Sequence, residues 1–204
     1  MIHRETLVGL SPHERFRVAL SQLEPGNVVI DCGANVGTVT RQFRKRGCTV
    51  HAFEPDPIAC STLRQAFRND ESVLIHQAAV GTKNGYAKLY FHPGRDKELV
   101  YTQSSSLNAD KRNVSVSRFA LVKVVELASF LQTLGRGIAI LKIDIEGSEA
   151  EVLLAIIRRG LYDHFDCAFI ETHESKVPST RLPMQKVRAE MERLKLKHIF
   201  LDWH

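Results

Sequence analysis

Apolar runs alternate with helically spaced apolar positions along the whole chain, the pattern of an α/β fold with a largely parallel sheet. Ser11 and Pro12 open a first helix with Phe16, Ala19, Leu20 and Leu23 on one face, ended by Glu24, Pro25 and Gly26. A strand over Val28–Asp31 then gives way to a turn holding Gly33, Asn35 and Gly37. A helix from about Asn35 to Arg46 follows, with Val36, Val39 and Phe43 inward. Thr49–Phe53 reads as a second strand, and Pro57 starts a helix whose Ala59, Leu63, Ala66 and Phe67 share a stripe.

The pattern continues in the same manner. Residues 72–80 form an expected third strand, and residues 86–92 and 120–127 alternate as partner or edge strands. Leu127, Phe130, Leu131 and Leu134 recur at helical spacing. Residues 138–145 are nearly all apolar, as a central strand buried on both faces must be. A helix over 148–160, a strand over 166–172, a helix carrying Met184, Val187, Met191 and Leu194, and a strand over 198–204 complete the reading. The stretch from Pro93 to Arg118 is polar, basic and weakly patterned, and is expected to be a mobile lid or substrate loop.

Composition narrows the class. The 204 residues, 44% hydrophobic and 25% charged, suit one soluble domain whose sheet is covered on both faces, with residues 1–26 as an N-terminal helical segment and 93–120 as the loop. No run is long and apolar enough to suggest a membrane span, and the N-terminus lacks a signal-peptide core. Four cysteines without C-x-x-C spacing fit a reduced, cytoplasmic protein. A net charge of +5, spread evenly, tolerates an anionic partner but does not argue for nucleic acid. Oligomeric state is not legible.

The candidate chemistry lies at the strand ends. Gly33 and Gly37 sit where a chain leaving a strand turns tightly and lets a ligand approach backbone, and Asn35 tolerates the left-handed conformation between them. The spacing departs from the three-glycine dinucleotide fingerprint, so the ligand need not carry a pyrophosphate. Asp31 is placed to accept from an ammonium group. Glu54, 23 positions later at the next strand end and followed by Pro55, is placed to accept both hydroxyls of a ribose. A ligand with a ribose, an amino-acid ammonium and no pyrophosphate is S-adenosylmethionine, whose sulfonium suits the carboxylates Asp31, Asp144 and Glu146. Gln77 and Ala78 are expected to flank the adenine.

Asp144 and Glu146 alternate with Ile143 and Ile145 at the mouth of the central strand, beside Lys142, where charges are expensive unless paired or wet. The plainer alternative is a Lys142 salt bridge and a helix cap. Glu171 and His173 point the same way in an extended segment, so His173 is a candidate base oriented by Glu171. The same carboxylates and His173 offer ligands for a divalent cation, but no diagnostic metal spacing is present and no metal is expected.

The chain resembles the FkbM-type methyltransferases, a branch of the class I S-adenosylmethionine-dependent enzymes. The matching pieces are DCGANVGTVT (31–40), AFEPDP (52–57), AAVGTKNG (78–85), SSSL (104–107), VVELASFL (124–131), LKIDIEGSEAEVL (141–153) and ETH (171–173), in family order. The resemblance implies a doubly wound, Rossmann-like sheet of seven strands, one antiparallel, with helices on both faces. It also implies methyl transfer to an oxygen of a sugar or polyketide-like small molecule, although relatives that methylate amide nitrogen leave the acceptor atom open. Cys32 stands where the family often has Val, and a further strand or tail is expected beyond His204, so the last hairpin is expected to be incomplete. The alternatives are an NAD-linked oxidoreductase on a similar fold and a non-catalytic nucleoside-binding module. Arg95, Lys97, Lys111, Arg112 and Arg118 hint at an anionic or phosphorylated saccharide as acceptor, against the plainer reading of solvated surface bases.

Overall fold

Strand formation follows burial on two faces. In β1 (Val28–Cys32), Val29 and Ile30 are both fully buried but enter different cores, because successive side chains of a strand point to opposite faces. β1 pairs in parallel with β2 (Thr49–Phe53) and with β7 (Ile138–Ile143), the latter buried at every position. β3 (Val73–His76), β8 (Phe165–Ile170) and β9 (Ile199–Phe200) extend the sheet in the order β3-β2-β1-β7-β8-β9, all six strands parallel. This computed structural model describes residues 1–94, 102 and 104–203.

Helices cover both faces. On one side Phe16 and Ala19 of α1 (Pro12–Ser21), Phe43 of α2 (Thr38–Arg44) and Leu63 of α3 (Pro57–Ala66) join Val29, Val50 and Ala52 in one core. On the other, α4 (Leu127–Leu134), α5 (Glu149–Arg158) and α6 (Arg181–Arg193) bury Leu131, Leu153, Ile156 and Val187 against Ile30, Leu141 and Ile143. Local signals set the helix starts. Ser11 and Glu14 form a capping box ahead of α1, and the Asp56 carboxylate accepts from the Ile58 and Ala59 N–H groups before α3.

The sheet departs from the seven-strand expectation. Residues 72–80 do not form one strand: the chain turns at Gln77 and Ala78, and β4 (Ala79–Gly81) leaves for a second sheet. There β4 pairs in parallel with β6 (Ser115–Glu126), and β6 pairs antiparallel with β5 (Gly85–Phe91). The antiparallel pairing implied by the family therefore sits outside the main sheet, over a small core of Leu89, Phe91, Val122 and Val124. The loop expected to reach residue 118 ends earlier, because β6 begins at Ser115. The helix expected from Asn35 begins at Thr38, since Asn35 (φ 49°) and Gly37 (φ 88°) are left-handed and cannot continue a right-handed helix. The last strand is reduced to Ile199–Phe200, parallel to β8, and His204 lies outside the described residues. Among the described residues no helix is long and apolar enough to cross a membrane.

β1 and β7 are neighbours from which the chain departs toward opposite edges of the sheet. Such a switch point leaves a crevice outside the strand ends, and it lies between Gly33 and Asp144.

Candidate active site

Backbone packing builds the crevice before any ligand is considered. The Gly33 and Ala34 N–H groups both donate to the Phe53 carbonyl at 2.9 Å, tying the turn after β1 to the end of β2. A Cβ on Gly33 would lie 1.8 Å from the Asp144 carbonyl oxygen, so glycine here lets the turn meet the chain leaving β7. Gly37 serves packing as well: a Cβ there would stand 2.6 Å from Phe67 and 2.7 Å from Leu63, and Gly37 does not border the cavity. Asn35 completes the turn. Its N–H donates to Oε2 of Glu54 at 2.8 Å, and its side-chain amide donates to the Thr102 hydroxyl at 3.0 Å.

The result is a cavity of about 330 Å³ at the switch point, within the range of small-molecule sites. One wall is Gly33, Ala34, Asn35, Glu54 and Pro55, with Ala78 beside them. The opposite wall is Asp144, Glu146 and Glu171. Loop residues Thr102, Ser104, Ser105 and Leu107 border it, as do Lys176 and Trp203. Glu54 is 5% exposed; its Oε1 accepts from the Asp56 N–H at 2.7 Å, and burial pushes its carboxyl up to about 7.

Asp31 and Gln77 are placed differently from the ligand contacts expected of them. Asp31 is fully buried behind the cavity, where Oδ2 accepts from Thr40 at 2.7 Å and Oδ1 stands 3.2 Å from the Lys142 ammonium. It faces a resident ammonium rather than the cavity. Lys142 in turn donates to the Gly33 carbonyl at 2.8 Å and lies 3.5 Å from Asp144. Burial pulls its pKa down, but Asp31 and Asp144 outweigh that and hold it above the usual lysine range. The plainer reading of Lys142 as a salt-bridge partner describes this geometry. Gln77 is exposed and away from the cavity, because the chain turns out of the sheet there; Ala78 remains on the wall.

The structure brings Asp144, Glu146, Glu171 and His173 together. Nε2 of His173 stands 3.1 Å from Glu146, 3.4 Å from Glu171 and 3.8 Å from Asp144, while Nδ1 is 2.9 Å from Oε1 of Glu149. His173 is 1% exposed and does not line the cavity. Burial works against its charge, but Glu146, Glu149 and Glu171 raise the imidazole to about 11. Enclosed among carboxylates that favour its charged form and shut off from the cavity, His173 is poorly placed to take a proton from an acceptor there. Burial likewise lifts the Asp144 carboxyl to about 6, against the opposing pull of Lys142.

Two partners escaped sequence reasoning. Glu149 reads as an acid in the first turn of a helix, yet it is buried and accepts from the Ile145 and Gly147 N–H groups as well as facing His173. Lys111 reads as a solvated loop base, yet its ammonium is buried 2.6 Å from Glu146 and donates to the Ser104 carbonyl. It is thereby withdrawn from any role toward an anionic acceptor. Arg112 is exposed, Arg118 donates to the Pro93 carbonyl, and Arg95 and Lys97 lie outside the described residues. Only long-range topology unites these groups; the nearest local signal was the run of serines at 104–106, which supplies a cap on Glu146 through Ser106.

A family model described as the methyltransferase FkbM domain matches residues 31–195. The 31-O-demethyl-FK506 methyltransferase FkbM of Streptomyces tacrolimicus is 31% identical over 159 residues, covering 66% of this chain and 61% of that protein. Methyltransferase 1 of Beauveria bassiana (strain ARSEF 2860) is 26% identical over 167 residues, 72% of this chain and 65% of that one. The chain thus spans less than two thirds of the length of either curated relative. Among solved structures, precorrin-6y C5,15-methyltransferase from Geobacter metallireducens GS-15 aligns with a TM-score of 0.41 and 15% identity over 90% of this chain and 71% of that one. The matched domain runs from Asp31, at the end of β1, through the whole acidic cluster to Lys195, and the chain belongs to the FkbM methyltransferase family.

Proposed function

We propose that this protein is an S-adenosylmethionine-dependent O-methyltransferase acting on a hydroxyl of a small molecule or saccharide. One observation carries the reading: a cavity at the switch point has a bent backbone and a buried Glu54 on one wall and three carboxylates on the other. The printed name of the Streptomyces tacrolimicus relative, a 31-O-demethyl methyltransferase, supports oxygen as the acceptor atom.

The residues fit the methyl donor. Glu54 presents a carboxylate for the ribose hydroxyls, Gly33, Ala34 and Asn35 offer backbone at close approach, and Pro55 and Ala78 line the cavity where the nucleoside would lie. S-adenosylmethionine, when bound, supplies an electrophilic methyl group on a cationic sulfur. Asp144, Glu146 and Glu171 favour a cation in the cavity, and Asp31 acts through Lys142, fixing the ammonium that braces Gly33 and Asp144. Asp144 takes the place of His173 as proton acceptor. It borders the cavity, and its raised pKa brings it nearer the working pH than an ordinary carboxylate. The loop residues Thr102, Ser104 and Ser105 serve as the lid that excludes water and holds the acceptor in place.

The reading is tested by incubating the protein with methyl-labelled S-adenosylmethionine and hydroxyl-bearing acceptors of the saccharide and macrolide-like classes. The expected product is a labelled methyl ether that is lost in Asp144→Asn. Label transferred only to amide nitrogen would replace the oxygen reading.

A further inference from the structure

From the arrangement around His173 we infer that Asp144, Glu146 and His173, with Glu171 alongside, form a binding site for a divalent cation on the cavity wall. One donor atom from each of the first three lies within 4.8 Å of the others. The cluster is more than a group of acids. His173 is almost completely buried, yet its Nε2 makes no hydrogen bond while aimed into the three carboxylates. At these distances Nε2 has ion-pair contacts but no hydrogen bond, and a cation shared with the carboxylates would take the place of the ring proton and satisfy nitrogen and oxygens together.

The spacing suits an ion. Two ligand atoms each about 2.1 Å from one metal stand about 3.0 Å apart at an octahedral angle and about 3.4 Å apart at a tetrahedral one. The observed separations from Nε2 are 3.1 Å to Glu146, 3.4 Å to Glu171 and 3.8 Å to Asp144. The other ring nitrogen faces Glu149 Oε1 at 2.9 Å, the outer carboxylate contact that commonly fixes the tautomer of a metal-binding histidine. Glu149 is itself held by two backbone N–H groups, so the ring is oriented independently of any ion.

Charge leads to the same place. Five carboxylates, Asp31, Asp144, Glu146, Glu149 and Glu171, surround the ammonium groups of Lys111 and Lys142 and the ring of His173. Negative charge stays in excess even with that ring protonated and the cavity-lining Lys176 counted, and the ring releases its Nε2 proton to solvent as the ion binds. One imidazole and several carboxylates form a mixed hard and borderline donor set, suited to manganese, magnesium or zinc rather than to thiolate-seeking metals. Lys111 sits on the same Glu146 carboxylate, so it must yield part of that contact when the ion enters. Asp144, Glu146 and Glu171 border the cavity and give the ion its path. Its role rests on the methyl-transfer reading: a Lewis acid there lowers the pKa of an acceptor hydroxyl, Asp144 giving the ion one carboxylate oxygen and keeping the other to take the hydroxyl proton. Its binding does not depend on that reading.

The test is Mn²⁺ binding to the chelator-treated full chain, followed by the loss of the free-ion electron paramagnetic resonance signal. One Mn²⁺ per chain is expected, with affinity reduced at least about tenfold in both Asp144→Asn and His173→Gln. Because the buried His173 variant risks misfolding, Asp144→Asn, partly exposed at the cavity, decides the matter with folding checked by circular dichroism. No binding at millimolar Mn²⁺, or binding unchanged in Asp144→Asn, overturns the site. S-adenosylhomocysteine is titrated calorimetrically into the same chelated sample. Nucleoside binding without Mn²⁺ binding defeats the ion alone, and Mn²⁺ binding without nucleoside binding defeats the methyl-donor reading alone.

Discussion

The backbone N–H of Asn35 donates to the Glu54 carboxylate at 2.8 Å, so the turn after β1 and the acid after β2 are fastened to each other before any ligand arrives. Asn35 holds φ at 49°, a conformation that asparagine tolerates better than most residues, and this aims its N–H at Glu54. Position and charge of the acid are thus set by the strand ends rather than by the ligand.

Replacing Glu54 tests that preorganisation. Glu54→Ala removes a carboxylate assigned to two ribose hydroxyls, and S-adenosylhomocysteine affinity should fall by roughly 2–4 kcal/mol, about 30-fold to several hundred-fold. Calorimetry reads it directly. Unchanged affinity would strip Glu54 of the ribose role.

The pH response of Glu54 carries a sign. Burial raises its folded-state carboxyl from 4.5 to about 7, so its stabilising contribution is complete below about 4.5 and is lost as pH rises through about 7. Binding runs the other way, because the ribose needs the ionised acceptor. Between pH 6 and 8 the ligand-free protein should melt earlier as pH rises while S-adenosylhomocysteine affinity increases. Glu54→Gln should flatten both trends; a parallel fall of both in the wild type contradicts the assignment.

Gly33→Ala should be among the most damaging small substitutions in the chain. The residue is left-handed at φ 80°, and its new Cβ would meet the Asp144 carbonyl, which is backbone and cannot swing aside. A loss of about 3–5 kcal/mol in denaturant unfolding is expected, from strain plus displacement of the strand end. Gly37→Ala meets only side-chain tips of Phe67 and Leu63 and should cost less.

Lys142 is expected to act as a structural brace. Lys142→Met leaves Asp31 buried and uncompensated, at a cost of about 3–5 kcal/mol. Adding Asp31→Asn should recover part of that loss in a double-mutant cycle, since the amide carries no charge to strand. Independent, additive losses would mean that the two residues are not coupled.

Much of this architecture was legible because strand burial and helix starts are local. Val28 to Asp31, the turn at Gly33 to Gly37, the helix start at Pro57 and the acid at Glu54 all follow from neighbouring residues. The break at Gln77 and Ala78 was not, since an unbroken run of strand-forming residues does not say when a chain changes sheets. The fate of Asp31 and His173 was hidden for a related reason. Their partners Lys142 and Glu149 come from elements more than twenty positions away, and only the fold turns an apparent ligand contact into an internal ion pair. Lys111 shows the same limit from the loop side: composition marked it as solvated, and packing made it a buried counter-ion to Glu146.

The central claim is that the hollow between β1 and β7 binds S-adenosylmethionine and its product, and side-by-side calorimetric titration of S-adenosylhomocysteine and NAD into the wild-type protein tests it most directly. The account predicts one S-adenosylhomocysteine bound per chain and no heat of binding from NAD. Saturable NAD binding with none for S-adenosylhomocysteine would contradict it.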